Sequence, residues 1–105
     1  IERDITLFKK SSLIFKNLSI RIKKNLLADG YLGITDSAPF DAIIVTAAAK
    51  EIPKNLMKQL KVGGRMVIPI GEDEQIMFRF TRIEKNRFKK EKFGYFKFVP
   101  MIKGK

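Results

Sequence analysis

The chain has 105 residues and a formal net charge of +11, and hydrophobic residues make up 45% of it. This length allows one domain at most, and the apolar share suits a packed core rather than a disordered tail. Neither Cys nor His occurs, which excludes disulfides, thiolate metal sites and imidazole bases. Because no apolar run approaches the ~20 residues that span a bilayer, we predict a cytoplasmic, metal-free protein.

The N-terminus predicts an amphipathic helix that begins at Asp4, an N-cap residue, and runs to about residue 18. Apolar side chains recur there at helical spacing, at Ile5, Phe8, Phe15 and Leu18. We expect this helix to face the core and to lie on a sheet. The chain starts with Ile1 rather than Met and leads straight into the helix, so we expect a fragment, with residues 1–105 forming a single partial domain.

A strand ending at Ala28 is expected next, followed by the tight loop Asp29-Gly30. Glu2 is expected to lie at the end of another strand, which is truncated in this chain. An ionised carboxylate at a strand end suits ribose hydroxyls or an adenine amino group, because it accepts two hydrogen bonds directionally. Taken alone, an Asp-Gly pair is more often a simple turn.

Residues 40–75 predict one βαβ unit. The β-branched run at residues 41–45 is typical of a buried parallel strand, and Pro53 suits the first position of a helix. Gly63-Gly64 is expected to end that helix, and residues 65–70 form the next strand. Ligands of open α/β sheets bind beyond the carboxyl ends of strands, so function is expected at residues 46–50 and 71–75.

Two interpretations of the first of these loops stay open. Its small side chains would let a ligand approach backbone N–H groups closely, or they would simply permit a tight strand-to-helix connection. The acidic residues 72–74 are interpreted as a solvated loop rather than a metal site, because no His or further spaced carboxylates accompany them. We expect the two strand exits to wall one shared cavity.

Beyond residue 75, alternating segments at residues 76–84 and 87–99 predict an antiparallel hairpin joined by Lys85-Asn86. Lys and Arg alternate there with aromatic residues, a pattern that a nucleic-acid platform would show. A solvated Lys-rich sheet face with aromatics turned to the core explains the same pattern, and we favour it.

Three segments carry a resemblance to a known family: LADGYLG at 27–33, the run from APFDAIIVTAAA to IPIGEDEQ at 38–75, and FKFVPMIKGK at 96–105. They closely resemble the protein-L-isoaspartate O-methyltransferase family. The resemblance implies a Rossmann-like α/β fold and S-adenosylmethionine as cofactor. It also implies methyl transfer to the α-carboxyl of L-isoaspartyl residues in damaged proteins, a monomeric state and no membrane partner.

The same resemblance implies roles for particular residues. Glu2 matches the acid that holds the ribose hydroxyls of the cofactor, and Asp29 and Gly30 match the pair beside the adenine. The residues matching positions that face the substrate and the methyl-transfer site are Thr46, Ala47, Ala48, Pro69, Ile70, Gly71, Val99 and Pro100.

The chain also departs from the family pattern. The family has a Gly-rich cofactor loop, a first strand that carries it and a usual active-site serine. We expect all three to lie upstream of Ile1. We therefore expect an isoaspartyl methyltransferase fragment, the C-terminal portion of the domain, which is inactive alone because half a cofactor cradle cannot hold in-line geometry. The alternatives are a non-catalytic basic nucleic-acid-binding module and a pseudogene product.

Overall fold

The computed structural model describes residues 1–104, which form two compact units. The first unit contains residues 1–30 and the C-terminal residues from Ile102, and the second runs from Tyr31 to Met101. Within residues 1–104, no helix is long and apolar enough to cross a membrane. The single partial domain expected over residues 1–105 stays a prediction.

The first unit contains α1, Ile5–Asn17, as the sequence predicts. The Asp4 carboxylate accepts a hydrogen bond from the Leu7 N–H at 2.9 Å, which satisfies one of the amide donors left open at a helix start. Lys16 lies in the last turn, where a positive charge is favourable. None of the residues of α1 is buried, so the expectation of a core-facing helix was wrong for this chain.

The strand expected to end at Ala28 is reduced to one parallel bridge, between Glu2 and Leu27. The Glu2 N–H donates to the Leu26 carbonyl and the Ala28 N–H to the Glu2 carbonyl, both at 2.9 Å. Two hydrogen bonds fix a local pairing but make no extended strand. The unit therefore offers no sheet of its own on which α1 could lie.

The second unit is a four-stranded mixed sheet in the order β1-β2-β3-β4. Its elements are β1 (Phe40–Ile44), α2 (Lys54–Lys58), β2 (Leu60–Gly71), β3 (Gln75–Glu84) and β4 (Arg87–Phe96). β1 and β2 run parallel through the α2 crossover, which confirms the βαβ unit. β2 and β3 pair antiparallel, as do β3 and β4.

β1 is an edge strand of the described sheet, and its burial was predicted wrongly. Asp41, Ala42 and Ile44 are exposed, with 77% of the Ile44 surface open to solvent. Strands read as continuous apolar runs when both faces and both neighbours are covered. Here only one edge of β1 has a neighbour, so the apolar run does not produce a buried strand.

Gly63 and Gly64 do not end α2, contrary to the sequence prediction. The helix ends at Lys58, and both glycines lie inside β2. The β1–β2 register shifts there, from Phe40 opposite Leu60 to Ala42 opposite Arg65, and an added Cβ on Gly64 would lie 3.1 Å from the Asp41 carbonyl oxygen. The glycines therefore permit a bulge and a close backbone approach.

The hairpin is confirmed, with β3 and β4 meeting at Lys85-Asn86. Its second strand ends at Phe96, whereas we expected it to continue to residue 99. The core of this unit lies on the face covered by α2. It consists of Ala49, Leu56, Leu60, Met66, Ile68 and Phe80.

Candidate functional site

The two strand exits are joined directly to each other by backbone hydrogen bonds. The Ala49 N–H donates to the Pro69 carbonyl at 3.0 Å, and the Gly71 N–H donates to the Ala49 carbonyl at 2.9 Å. Ala49 thus pairs in parallel with Ile70, beyond the last residue of β1. The two exits from the βαβ unit consequently lie side by side, as a shared cavity requires, and the cavity itself stays a prediction.

A third segment joins them on the other side of the first exit. The Ala48 N–H donates to the Val99 carbonyl at 2.7 Å, and the Met101 N–H donates to the Ala48 carbonyl at 2.8 Å. Ala48 thus pairs in parallel with Pro100. β4 ends at Phe96, which pairs with Gln75, the first residue of β3, and the chain beyond it goes on to pair with the first exit.

We call these three segments, residues 46–49, 69–71 and 99–101, the exit ladder. It brings together every residue that the resemblance assigns to the substrate side. Ala48, Ala49 and Pro69 are buried, whereas Thr46 and Val99 are exposed. Small buried side chains at the centre keep the backbones close, and the exposed side chains on either side are free to meet a ligand.

Gly71 has a positive φ of 143°, and its position requires glycine. An added Cβ there would lie 2.5 Å from the Glu74 carbonyl oxygen, well inside van der Waals contact. The second exit is a tight turn from β2 into β3, formed by the acidic residues 72–74. These acidic residues are exposed, and Glu72 approaches Lys50 of the first exit at 3.9 Å. No group of residues suited to a metal ion occurs within residues 1–104.

An open depression of about 420 Å³ lies on the face of the sheet that carries Phe78 and Phe80. We call it the aromatic groove. Ile70 is the residue of the two exits that lines it, and the other lining residues are Glu51, Ile52, Lys54, Phe78, Phe80 and Lys90. The sequence did not predict this groove, because its lining comes from one loop and four separate elements, α2, β2, β3 and β4.

Two buried glutamines support the site, and sequence reasoning missed both. The side-chain amide of Gln75 donates to the Glu72 carbonyl at 2.6 Å and accepts from the Phe98 N–H at 2.7 Å. It thereby ties the turn of the second exit to the segment that leads into Val99. A buried amide with both ends paired is stabilising, whereas an unpaired one is costly.

Gln59 makes an equivalent clamp at the other end of the sheet. Its side chain accepts from the Ile34 N–H at 2.9 Å and donates to the Leu32 carbonyl at 2.8 Å. Gly33 between them has a φ of +62°, and an added Cβ would lie 2.2 Å from the Gln59 Oε1 atom. No local sequence signal identified this clamp, because the burial of Gln59 is a result of tertiary packing.

The expected cofactor residues lie in the first unit. The Glu2 Oε1 atom accepts hydrogen bonds from the N–H groups of Arg3 and Asp4 at 2.8 and 2.9 Å. The Asp29 Oδ2 atom accepts from the Gly104 N–H at 2.9 Å. Because Glu2 pairs in parallel with Leu27, Glu2 and Asp29 belong to neighbouring segments that run in the same direction.

Two ion pairs lie within the hairpin, Arg79 with Glu91 and Arg87 with Glu84. Arg79 forms a two-point contact with Glu91, at 3.1 Å from Nε and 2.9 Å from Nη2, and its guanidinium lies 4.9 Å from the centre of the Phe93 ring. Hydrogen bonds from Arg79, assisted by its positive charge, lower the pKa of Glu91 against an opposing effect of desolvation. The same hydrogen bonds raise the pKa of Arg79.

Arg82 has a different role. Its guanidinium donates to the carbonyls of Lys58 at 3.1 Å and Leu60 at 2.6 Å, and also to that of Lys85 in the hairpin turn. The contact with Lys58 satisfies an open carbonyl in the last turn of α2. This arginine therefore joins the hairpin turn to the junction between α2 and β2.

The fold is similar to that of solved methyltransferases. A crystal structure described as a putative protein-L-isoaspartate O-methyltransferase from Plasmodium falciparum, in complex with S-adenosyl-L-homocysteine, matches with a TM-score of 0.82 and 28% identity. The match covers 98% of this chain and 51% of that one. A second solved protein-L-isoaspartate O-methyltransferase matches with a TM-score of 0.82 at 26% identity and covers 94% of this chain. The Rossmann-like α/β class predicted from the sequence is thereby confirmed.

The family model for protein-L-isoaspartate(D-aspartate) O-methyltransferase matches residues 1–105, and the chain belongs to this family. A protein-L-isoaspartate O-methyltransferase from Flavobacterium psychrophilum is 53% identical over 105 residues, which cover 49% of its length. Another from Vibrio cholerae is 41% identical over 104 residues, which cover 50% of its length. The chain thus spans about half the length of the relatives it matches.

Proposed function

We propose that this chain provides the substrate-facing wall and part of the cofactor site of a methyltransferase. The enzyme transfers a methyl group from S-adenosylmethionine to the α-carboxyl of L-isoaspartyl residues in damaged proteins, the first step of their repair. Family membership over the whole chain supports this proposal. The observation that carries it is the exit ladder, which joins three segments assigned to the substrate by resemblance.

On the substrate side, the exposed Thr46 side chain offers a hydroxyl that donates to a carboxylate. The short side chain of the half-buried Ala47 leaves room for a polypeptide to approach, and Ala48 joins this segment to Val99 and Met101. Val99 is 71% exposed and, with Pro100, supplies an apolar boundary that orients the substrate chain. We assign Pro69, Ile70 and Gly71 to the opposite boundary of the same surface.

On the cofactor side, the geometry of Glu2 suits the assigned role. Its Oε1 atom is held by two backbone N–H groups, which fixes the carboxylate plane. We assign this fixed carboxylate to the ribose hydroxyls, whose hydrogen bonds it would accept. Asp29 and Gly30 are assigned to the adenine. When bound, S-adenosylmethionine supplies an electrophilic methyl group.

Methyl transfer requires in-line placement of a carboxylate oxygen against that methyl group. The relatives are about twice as long as the matched region, and we propose that this chain alone does not hold the cofactor well enough for turnover. A cytoplasmic location, a monomeric state and isoaspartyl proteins as partners belong to the same proposal.

A chimera tests the function without depending on the activity of the isolated chain. The matched half of the Flavobacterium psychrophilum relative, which is 53% identical, is replaced by residues 1–105. We expect this chimera to methylate an isoaspartyl peptide and to leave the ordinary aspartyl peptide unmethylated. A folded chimera that binds S-adenosylhomocysteine but treats both peptides alike would refute the proposal.

Glu2 is tested in the same chimera. Glu2→Gln removes the charge but keeps the shape, and we expect S-adenosylhomocysteine binding to weaken by roughly tenfold, as for the loss of a charge-assisted hydrogen bond. Glu84→Gln is the matched control, because Glu84 is exposed, lies in the other unit and does not line the groove. Calorimetry on the isolated chain completes the test, since micromolar binding of S-adenosylmethionine there would contradict its proposed inactivity.

A further inference from the structure

The aromatic groove adjoins the exit ladder through one shared residue. Ile70 pairs with Ala49 in the ladder and also lines the groove. A polypeptide whose isoaspartyl residue lies on the ladder therefore has the groove beside it. The following inference rests on the proposed function and concerns what lies next to the isoaspartyl residue in the substrate.

The floor of the groove is apolar and preformed. Phe78 and Phe80 stack at 5.7 Å between ring centres with their planes 21° apart. Phe80 belongs to the buried core, and Ile68 and Met66 lie opposite the two rings on β2. Side chains fixed by core packing lose little further freedom when a ligand binds, so such a floor favours an apolar side chain.

The rim of the groove carries an excess of positive charge. The Lys90 ammonium lies 5.6 Å from the centre of the Phe78 ring, and Lys54 and Glu51 line the same depression. Within residues 1–104, no ion pair involves any of these three charged side chains. Two cations and one anion around an apolar floor are complementary to an apolar side chain accompanied by a carboxylate.

We infer that the aromatic groove binds the substrate segment flanking the isoaspartyl residue, and that it selects an aliphatic or aromatic side chain next to an acidic one. Lys90 and Lys54 then set the preference for acid, while Phe78, Phe80 and Ile70 set the preference for apolar groups. The groove thus determines which damaged sites are preferred, separately from the recognition of the isoaspartyl group itself.

The test uses the isotope-labelled 105-residue chain and amide chemical shifts. Two peptides share one isoaspartyl residue, flanked by Leu-Glu in the first and by Ser-Gln in the second. We expect the amides of Phe78, Phe80 and Lys90 to shift with the first peptide and to shift much less with the second. Absence of these shifts, or equal shifts with both peptides, would overturn the inference.

Two charge-reversal variants on β4 separate a specific effect of the groove from a general effect on folding or net charge. Lys90→Glu replaces an attraction at the rim by a repulsion and is expected to weaken binding of the Leu-Glu peptide by roughly three- to tenfold. Lys89→Glu is the matched control, since Lys89 is the neighbouring exposed lysine and faces the other side of the sheet, opposite Thr81. Equal weakening by both substitutions would reduce the effect to net charge and reject the groove.

The ordinary aspartyl form of the Leu-Glu peptide separates this inference from the proposed function. Groove shifts that are equal in the isoaspartyl and aspartyl forms, with no difference at Ala48 or Gly71, would reject isoaspartyl recognition but retain the groove. Amide shifts in the exit ladder that occur only with the isoaspartyl form, without any flanking preference at Phe78, would retain isoaspartyl recognition and reject the groove.

Discussion

The carbonyl of Ala49 accepts a hydrogen bond from the Gly71 N–H at 2.9 Å, which joins residues that lie 22 positions apart in the chain. Ala49 has no exposed surface, so nothing larger fits at the point where the two exits meet. The packing of the exit ladder therefore requires the short side chain of Ala49.

Enlarging this residue should disrupt the ladder. Ala49→Leu inserts a bulky side chain into a closed space, and we expect it to lower the free energy of unfolding by about 1–3 kcal/mol. Ala42→Leu is the matched control, because Ala42 is exposed on β1, and it should change stability by less than about 0.5 kcal/mol. Chemical denaturation of both variants measures the difference, and equal effects would contradict the ladder.

Substituting Gly33 and Gly63 by Ala distinguishes the cost of backbone strain from the cost of a steric clash. Both have a positive φ, +62° and +86°, but an added Cβ meets the Gln59 side chain at Gly33 and nothing within 4 Å at Gly63. We expect Gly33→Ala to destabilise the protein more than Gly63→Ala, which carries only the strain of about 1–2 kcal/mol expected for a left-handed residue. Thermal unfolding compares them, and a larger loss at Gly63 would show that Gln59 yields easily.

Removing the amide of Gln75 should release the second exit. Gln75→Leu leaves the part-buried Phe98 N–H without its partner, and we expect it to cost about 1 kcal/mol, as for the loss of a typical hydrogen bond. Amide hydrogen exchange should accelerate at Phe98 in particular. If exchange there is unchanged while overall stability falls, the clamp is not what holds this segment.

Arg82 should contribute more to the free energy of unfolding than the exposed Arg87. Arg82→Met removes hydrogen bonds to the Lys58 and Leu60 carbonyls. Arg87 instead approaches Glu84 at 4.0 Å, with both side chains exposed. We expect a loss of about 1–2 kcal/mol for Arg82→Met and a small change for Arg87→Met. Urea denaturation distinguishes them, and similar losses would reject the role of Arg82 at the end of α2.

The pair of Arg79 and Glu91 predicts a pH dependence. The pKa of Glu91 is lowered in the folded protein, so its contribution is complete above the unfolded pKa of about 4.3 and is lost as the pH falls through the folded value. The stability difference between the wild type and Arg79→Met should therefore be constant near neutral pH and shrink in acid. A difference that grows in acid would have the wrong sign for this pair.

The alternative function, a nucleic-acid-binding module, predicts affinity of the hairpin for nucleic acid. The Phe93 and Phe88 rings of the hairpin already lie beside the guanidinium groups of Arg79 and Arg82 and are less open to stacking with a base. We expect only weak binding of single-stranded DNA in a fluorescence titration at near-physiological salt. A steep fall of affinity with salt would favour the alternative.

The parts of the fold that were predictable from sequence are those governed by local pattern. The Asp4 cap, the hairpin at Lys85-Asn86 and the order of the βαβ unit follow from capping, alternation and turn chemistry. The end of α2 was misplaced because Gly63-Gly64 serves a bulge in β2, and sequence alone does not distinguish a glycine that ends a helix from one that lets two backbones approach.

The exit ladder was predicted only in part, because its hydrogen bonds join residues far apart in the chain. The two exits were expected to meet, since the carboxyl ends of neighbouring parallel strands lie together. The pairing of Ala48 with Pro100, the clamps of Gln59 and Gln75 and the aromatic groove depend on tertiary contacts that no local pattern specifies.

Photo-crosslinking in the chimera tests the central claim most directly, that the exit ladder receives the isoaspartyl residue. An isoaspartyl peptide with a photoreactive group beside that residue is irradiated with the chimera in the presence of S-adenosylhomocysteine, and the attachment sites are mapped by mass spectrometry. We predict attachment within residues 46–49, 69–71 and 99–101, with competition by unlabelled isoaspartyl peptide and not by its aspartyl form. Attachment confined to residues 82–92, or equal competition by both forms, would contradict the claim.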